Sequence, residues 1–386
     1  MAPGAPSAPV RVLISPDKFK GTLSAAEAAA AMAEGVRRVH PQAHVVQLPI
    51  ADGGDGTLEA ALAAGFTEQL TRVSGPRGST VDARWALRGQ TAVIETAAAS
   101  GLLLTGPTVE SALYSHSYGS GQLIGAALDA GATQIVIGLG GSAMTDGGAG
   151  ALQALGLTLY TRDGTPLRPG REVLPEAARL GVSGLDSRLA GADLRIATDV
   201  DNHLYGPRGA AHVFGPQKGA DAAAVHRLDA ALTHWAGLLE SISGRDVNVA
   251  GAGAAGGFAA GFLAFTRARL ERGFDLVADL VGFEAALADT DLLITGEGRV
   301  DAGSAHGKAP LAAAEWARDR GVPAVLVAGD ITVPREHLAR HGIVSSSSVM
   351  DLAADLEDAS ARAAHHVTRA TQYALESAQA AGGEAP

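Results

Sequence analysis

Four times along this chain a short run rich in β-branched residues gives way to a loop of glycine and aspartate, which then opens an alanine-rich stretch. Residues 10–14 lead through SPDKFKGTL to a helix opening at Ser24, and 45–50 lead through ADGGDGT into TLEAALAAG. Residues 134–139 lead through GGSAMTDGG, and 291–295 through GEGRVDAGSAHGK into PLAAAEWARDRG, with 322–328 as a further apolar strand. Strands alternating with helices specify an α/β fold with a mainly parallel sheet, since a parallel neighbour is reached through a crossover, usually a helix. Ligands of such sheets bind beyond the carboxyl ends of the strands, where these polar loops fall. The first helix is signalled at both ends. Ser24 and Glu27 form an S-x-x-E capping box, and Pro41 turns the chain out of the helical region near His40.

The rhythm changes from about residue 76 to 130. There STVDARWAL and QTAVIETAA predict two strands joined around Arg88–Gly89. Residues 222–244 predict a long helix, and the strand–helix rhythm returns near Asp291. The expected organisation is a discontinuous first domain, residues 1–75 and 275–386, with a second α/β domain, 76–274, inserted into it.

Composition narrows the function classes. Thirty basic against 41 acidic residues give a net charge of −11, which disfavours nucleic acid and anionic membrane as partners. Cysteine is absent, which removes disulfides, thiolate metal sites and cysteine nucleophiles and fits a cytoplasmic location. Residues 251–265 are too short and glycine-rich to span a membrane. The opening MAPGAPSAPVRV has no signal-peptide pattern and reads as a disordered leader, with GGEAP as a similar tail. Glycine, at 50 of 386 residues against a usual ~7%, concentrates in short loops, which is where the chemistry is expected.

Several motifs compete there. Gly251, Gly253 and Gly256 satisfy G-x-G-x-x-G with Glu271 further on, as in a dinucleotide site, but only DVNVA precedes them as a strand. The 303–308 loop is one residue short of a phosphate-binding P-loop and has Ala309 where that motif needs a hydroxyl. It still ends in Lys308, just ahead of Pro310 and a helix start. Lys18 and Lys20 sit ahead of the first helix, whose N-terminus favours anions. Asp52 and Asp55, Asp199 and Asp201, and Glu297 and Asp301 occupy other strand-end loops. Carboxylates so placed suit Mg²⁺ or proton abstraction from a hydroxyl, although any one such loop is also what Asp and Gly do in plain turns. His337, His341, His365 and His366 lack a third ligand and read as solvated or packed side chains. No G-x-S-x-G elbow is present.

Together these segments resemble the bacterial glycerate kinase family, type 1. SPDKFKGTLSAAEAAAAMAEG, LPIADGGDGTLEA, VIETAAASGL, GLGGSAMTDGGAGALQALG, ATDVDNHLYGPRGAAHVFGPQKGA, GAGAAGGF and LLITGEGRVDAGSAHGKAP carry the resemblance, in that order, over about residues 10–345. It implies ATP-dependent phosphorylation of D-glycerate to 2-phosphoglycerate, or 3-phosphoglycerate, with Mg²⁺. It also implies a Rossmann-like domain plus an inserted one, with the active site in a cleft between the two. Thr145, Gly303 and Lys18 depart from the family pattern, as does the VSSSSVMDLA segment beyond Gly342.

On that resemblance the expected catalytic residues are Asp199, Lys20, Asp52 and Lys308, with Asp52 and Asp199 as candidates for holding the metal. Of these two, Asp199 is the better base. Lys18, Glu95, Gly141, Ser142, Asp146, Gly253, Glu297, Arg299 and Asp301 are expected to line the substrate or nucleotide site, Arg299 as a fork for the glycerate carboxylate. The competing readings are an NAD(P)-dependent hydroxy-acid oxidoreductase, resting on the 251–256 glycines, and a non-catalytic sugar-acid-binding protein.

Overall fold

The computed structural model describes residues 9–168, 173–301 and 308–382. The 303–307 glycine loop, the N-terminal leader as far as Ala8 and the tail from 383 lie outside these residues. The described residues form two compact units: those within 1–52, 59–64 and 277–386 make one, and those within 53–58 and 65–276 the other.

The first unit opens with β1 (Arg11–Pro16) and β2 (His44–Gln47). The second contains β3 (Thr67–Ser74), β4 (Thr80–Arg88), β5 (Thr91–Glu95), β6 (Gln134–Gly138), β7 (Thr158–Tyr160), β8 (Pro166–Leu167), β9 (Arg179–Gly181), β10 (Asp193–Ala197) and β11 (Arg269–Glu271). The first unit then resumes with β12 (Leu292–Gly296), β13 (Arg299–Val300), β14 (Ala324–Ala328), β15 (Asp330–Ile331) and β16 (Ile343–Ser348).

The main sheet of the first unit is wholly parallel, in the order β16-β14-β12-β1-β2. Counted in chain order this is the doubly wound arrangement 2-1-3-4-5, whose winding reverses between β1 and β12. Pro16 pairs with Gly296 at that reversal. The central strands β12 and β14 are apolar on both faces, as sheets covered by helices on both sides must be. Ile14, Met32, Ile294, Val325 and Val367 meet in one core. The Ala25–Val39 helix has the expected reciprocal cap between Ser24 and Glu27 and ends at His40. Gly35 lets it approach the Ala363–Gly382 helix closely, since a Cβ there would lie 2.6 Å from the Thr368 carbonyl oxygen.

The sheet of the second unit runs β11-β10-β6-β5-β4-β3, parallel from β11 to β5 and antiparallel across β5-β4-β3. The hairpin turning at Arg88–Gly89 is thus present, and β3, within the 1–75 segment, pairs with β4 in this sheet. β7, β8 and β9 form a small antiparallel sheet of their own. The long helix runs Ala222–Ser243, capped by the Asp221 carboxylate on the Ala224 amide, and places Trp235 in a core with Phe258 and Phe262. DVNVA forms no strand, contrary to its β-branched composition. Val247 is instead buried as a single apolar anchor in an irregular segment.

Candidate active site

In the first unit three carboxylates stand at the carboxyl ends of three adjacent parallel strands. Asp17 follows β1 directly, Glu297 follows β12 directly, and Asp52 lies on the loop leaving β2. Asp17 and Glu297 therefore flank the reversal of the winding, the position where a doubly wound sheet binds its ligand. Asp17 is buried, and its carboxyl is pushed up to about 7, first by burial and then by the charges of Asp52 and Glu297. Lys18 opposes this through its own charge and its amide, which donates to Asp17 Oδ1 (2.6 Å).

Lys308 joins the cluster. It is the N-cap residue of the Ala309–Arg318 helix, and its ammonium lies 3.3 Å from Glu297 Oε2. Lys20 is exposed on the β1 loop, its backbone against Gly298. Arg299 is exposed between two carboxylates, 3.8 Å from Asp301 and 3.7 Å from Asp330. Among the described residues no group of three or more His, Asp or Glu side chains converges to hold a metal ion by itself. His341 meets Glu315 (2.8 Å) and stacks near His337, a packing arrangement.

In the second unit the β6 loop carries Gly141, Ser142 and Asp146. Gly141 and Gly147 take left-handed backbone (φ +66° and +61°), and the Trp235 indole N–H holds the Gly147 carbonyl at 2.9 Å. Asp146 is buried and accepts four hydrogen bonds, from the amide and hydroxyl of Ser117 and the amides of Gly148 and Gly150. Beneath the loop lies Lys218, fully enclosed. Its ammonium donates to the Met144 carbonyl (2.6 Å) and to Ser142 Oγ (3.3 Å). Burial pulls Lys218 down to about 7, against the opposing charge of Asp146.

Glu95, at the end of β5, accepts from the Gly56 and Leu58 amides (2.9 Å each) and so fixes the course of the DGGDG loop. Asp199 is exposed two residues beyond β10 and accepts from the Gly273 amide (2.9 Å). Asp201 turns instead to Arg208 (3.0 Å).

The 251–256 glycines do not form a dinucleotide fingerprint. No strand precedes them, and each of their close approaches is taken by protein. Gly251 packs on Thr198 and Leu270, Gly253 on the Asn202 and His203 carbonyls, and Gly256 on the Met144 carbonyl. Glu271, the acidic residue such a fingerprint would use on a ribose, pairs with Arg195 at 2.7 Å on the neighbouring strand.

Of the sequence-predicted residues, Asp52, Glu297, Lys308 and Lys18 gather around one strand-end cluster, and Ser142 and Asp146 around another. Reasoning from sequence passed over Asp17 and Lys218. Asp17 had a readable signal, since it directly follows an apolar strand. Lys218 had none: a lysine in a GPQKGA turn reads as exposed, and only the tertiary structure buries it.

A doubly wound α/β unit with acidic and lysine side chains at its switch point, in a chain whose other unit carries a glycine-rich strand-end loop, has the features of the α/β phosphotransferases. The chain belongs to the glycerate kinase family, whose family model matches residues 12–379. It is 45% identical over 368 residues to a glycerate kinase of Bacillus subtilis (strain 168), covering 93% of this chain and 95% of that protein. It is 42% identical to the glycerate 2-kinase of Escherichia coli (strain K12), covering 94% of this chain and 96% of the relative. A crystal structure from Salmonella typhimurium LT2, described as a glycerate kinase 2, superposes with a TM-score of 0.86 at 41% identity, over 97% of this chain and all of that one. The protein is thus an enzyme, a kinase acting on an alcohol group.

Proposed function

We propose that this enzyme transfers the γ-phosphoryl group of ATP to D-glycerate, giving 2-phosphoglycerate. The observation that carries this reading is the acidic and lysine cluster at the β1/β12 reversal. Phosphoryl transfer asks a protein chiefly for positioning and for neutralisation of charge on the transferred group. A net charge of −11 makes local cations necessary, and Lys18, Lys20 and Lys308 supply them. Carbon 2 is favoured over carbon 3 by the name of the Escherichia coli relative, a glycerate 2-kinase.

Mg²⁺ suits the same corner. Burial first, and then the charges of Asp52 and Glu297, push Asp17 up to about 7; a cation among these carboxylates offsets their repulsion, and Mg²⁺ takes one or two carboxylates beside water and phosphate oxygens. Asp52, with Asp17, would hold the ion, which when bound offsets charge on the phosphates. Asp199 is assigned to accept the proton of the glycerate hydroxyl. Arg299, despite its flanking carboxylates, remains the assigned fork for the substrate carboxylate.

An assay of ADP release with and without D-glycerate tests the reading. Glycerate-dependent ADP is expected, with a product whose phosphorus couples to the carbon 2 proton. Glycerate binding without ADP release would indicate a sensor instead, and coupling to the carbon 3 protons would move the phosphate.

A further inference from the structure

Lys218 is a buried cation to which the scheme above gives no part. It lies in the GPQKGA turn, where the Lys218 and Ala220 amides both donate to the Gly215 carbonyl (3.0 Å each). Gly219 completes the turn in left-handed backbone (φ +97°), and a Cβ on it would fall 2.4 Å from the Thr108 amide nitrogen. The backbone is thus pressed against protein on that side, and the lysine, 2% exposed, lies wholly inside. Burying an ammonium is costly, and an apolar chain of similar length would fill the same space without that cost. No carboxylate pairs with this one among the described residues: Asp146 acts on it through charge alone, and its hydrogen bonds go to the Met144 carbonyl (2.6 Å) and Ser142 Oγ (3.3 Å). Both bonds fall on one loop, the one leaving β6.

That loop has other supports and a load. The Leu102 amide donates to the Gly141 carbonyl and the Ala143 amide to the Ser100 carbonyl (2.8 Å each), so the main chain around Ser142 is pinned without the lysine. What the lysine adds is the setting of the Ser142 side chain and of the Met144 peptide. On its other side the loop meets the DGGDG turn. A Cβ on Gly140 would fall 2.5 Å from the Asp55 amide nitrogen, and one on Gly53 would fall 2.5 Å from Gly273 Cα. The Gly273 amide is the donor that holds Asp199 (2.9 Å). Every one of these contacts lies within the second unit.

We propose that Lys218 is a positioning residue for phosphoryl transfer, acting through Ser142 and the β6 loop against which the DGGDG turn rests. Enclosed as it is, Lys218 touches no substrate itself. The proposal rests on the kinase reading above, in which Asp199 takes the hydroxyl proton. A shift of the β6 loop is passed to that carboxylate through Gly53 and Gly273, and small misplacements of reacting groups are expensive in rate.

The test uses the full chain with Lys218→Met, Ser142→Ala and the double variant, each followed by thermal melting and by steady-state kinetics for ATP and D-glycerate. Lys218→Met should melt cooperatively and no lower than the wild type at pH 7, because it removes a buried charge. Its kcat should nevertheless fall by about tenfold or more, with both KM values within about threefold of the wild type. On the Ser142→Ala background the same change should cost less than about threefold, since the route is already cut. A lysine that serves stability alone would give the reverse pattern, a lowered melt with kcat per folded molecule unchanged, and that result would overturn the proposal. An equal loss of kcat on both backgrounds would overturn it as well. Should Lys218→Met fail to fold, Lys218→Gln is read by the same criteria; failure of both to fold makes Lys218 a folding residue and ends the proposal. Absence of glycerate-dependent ADP in the wild type removes the kinase reading instead, and it is seen before any variant is made.

Discussion

At the scale of single residues, the assigned charges make separable predictions. Lys20→Ala and Asp199→Asn should each lower kcat by about 10²–10³ while leaving the melting temperature near that of the wild type, because both side chains are exposed. Steady-state kinetics beside thermal melts check this, and near-native turnover in either variant removes that residue from the scheme. Lys218 predicts a stability effect with a definite sign. Its ordinary value of 10.5 falls to about 7 in the folded protein, so the unfolded chain binds the proton more tightly between those values. Its contribution is fully present above about 10.5 and is lost as pH falls through about 7. The stability of the wild type relative to Lys218→Met should therefore rise from pH 7 to pH 9 in urea unfolding, and a flat difference would contradict the burial. Asp17 works in the opposite sense. Raised from 3.8 to about 7, it favours the fold most below about 4 and loses that contribution as pH rises through about 7.

Members of the strand-end cluster were legible in the sequence where a strand end announced them. Asp52, Glu297 and Lys308 could be found because apolar runs stop just ahead of their loops. Which charges face one another could not be read, since β1 and β12 are joined only through their tertiary pairing. For the same reason the enclosure of Lys218 left no mark in local sequence.

Among the elements, end signals and periodicity carried most of the information. The Ser24–Glu27 box forms as its spacing requires, and Ser24→Ala should cost ~0.5–2 kcal/mol of unfolding free energy, measurable by urea titration with activity unchanged. A loss well outside that range would mean the hydroxyl does more than cap. DVNVA misled because β-branched composition reports a preference for packing surfaces, and here the segment packs without joining a ladder. The 251–257 glycines misled in the other direction. Their left-handed backbone at Gly256 and Gly257, and even at Ala255 (φ +48°), serves a close approach of one protein segment to another.

For the molecule as a whole, the cation requirement gives the simplest check. Chelation with EDTA should abolish glycerate-dependent ADP release, and added Mg²⁺ should restore it; activity persisting in EDTA would remove the metal from the scheme. The alternation of strands and helices made the α/β class readable, and the hairpin around Gly89 marked the change of sheet. The strand order was not readable, because nothing local says that β12 returns to the side of β1.

That return has a consequence for synthesis on the ribosome. Pro16 and Gly296 pair across 280 residues, so β1 emerges with β2 as its sole neighbour and waits for the remainder of its sheet until more than three-quarters of the chain has been made. Every strand of the other unit is available before then. The later-starting unit should therefore mature first, leaving the apolar edge of β1 as the nascent segment in greatest need of a chaperone.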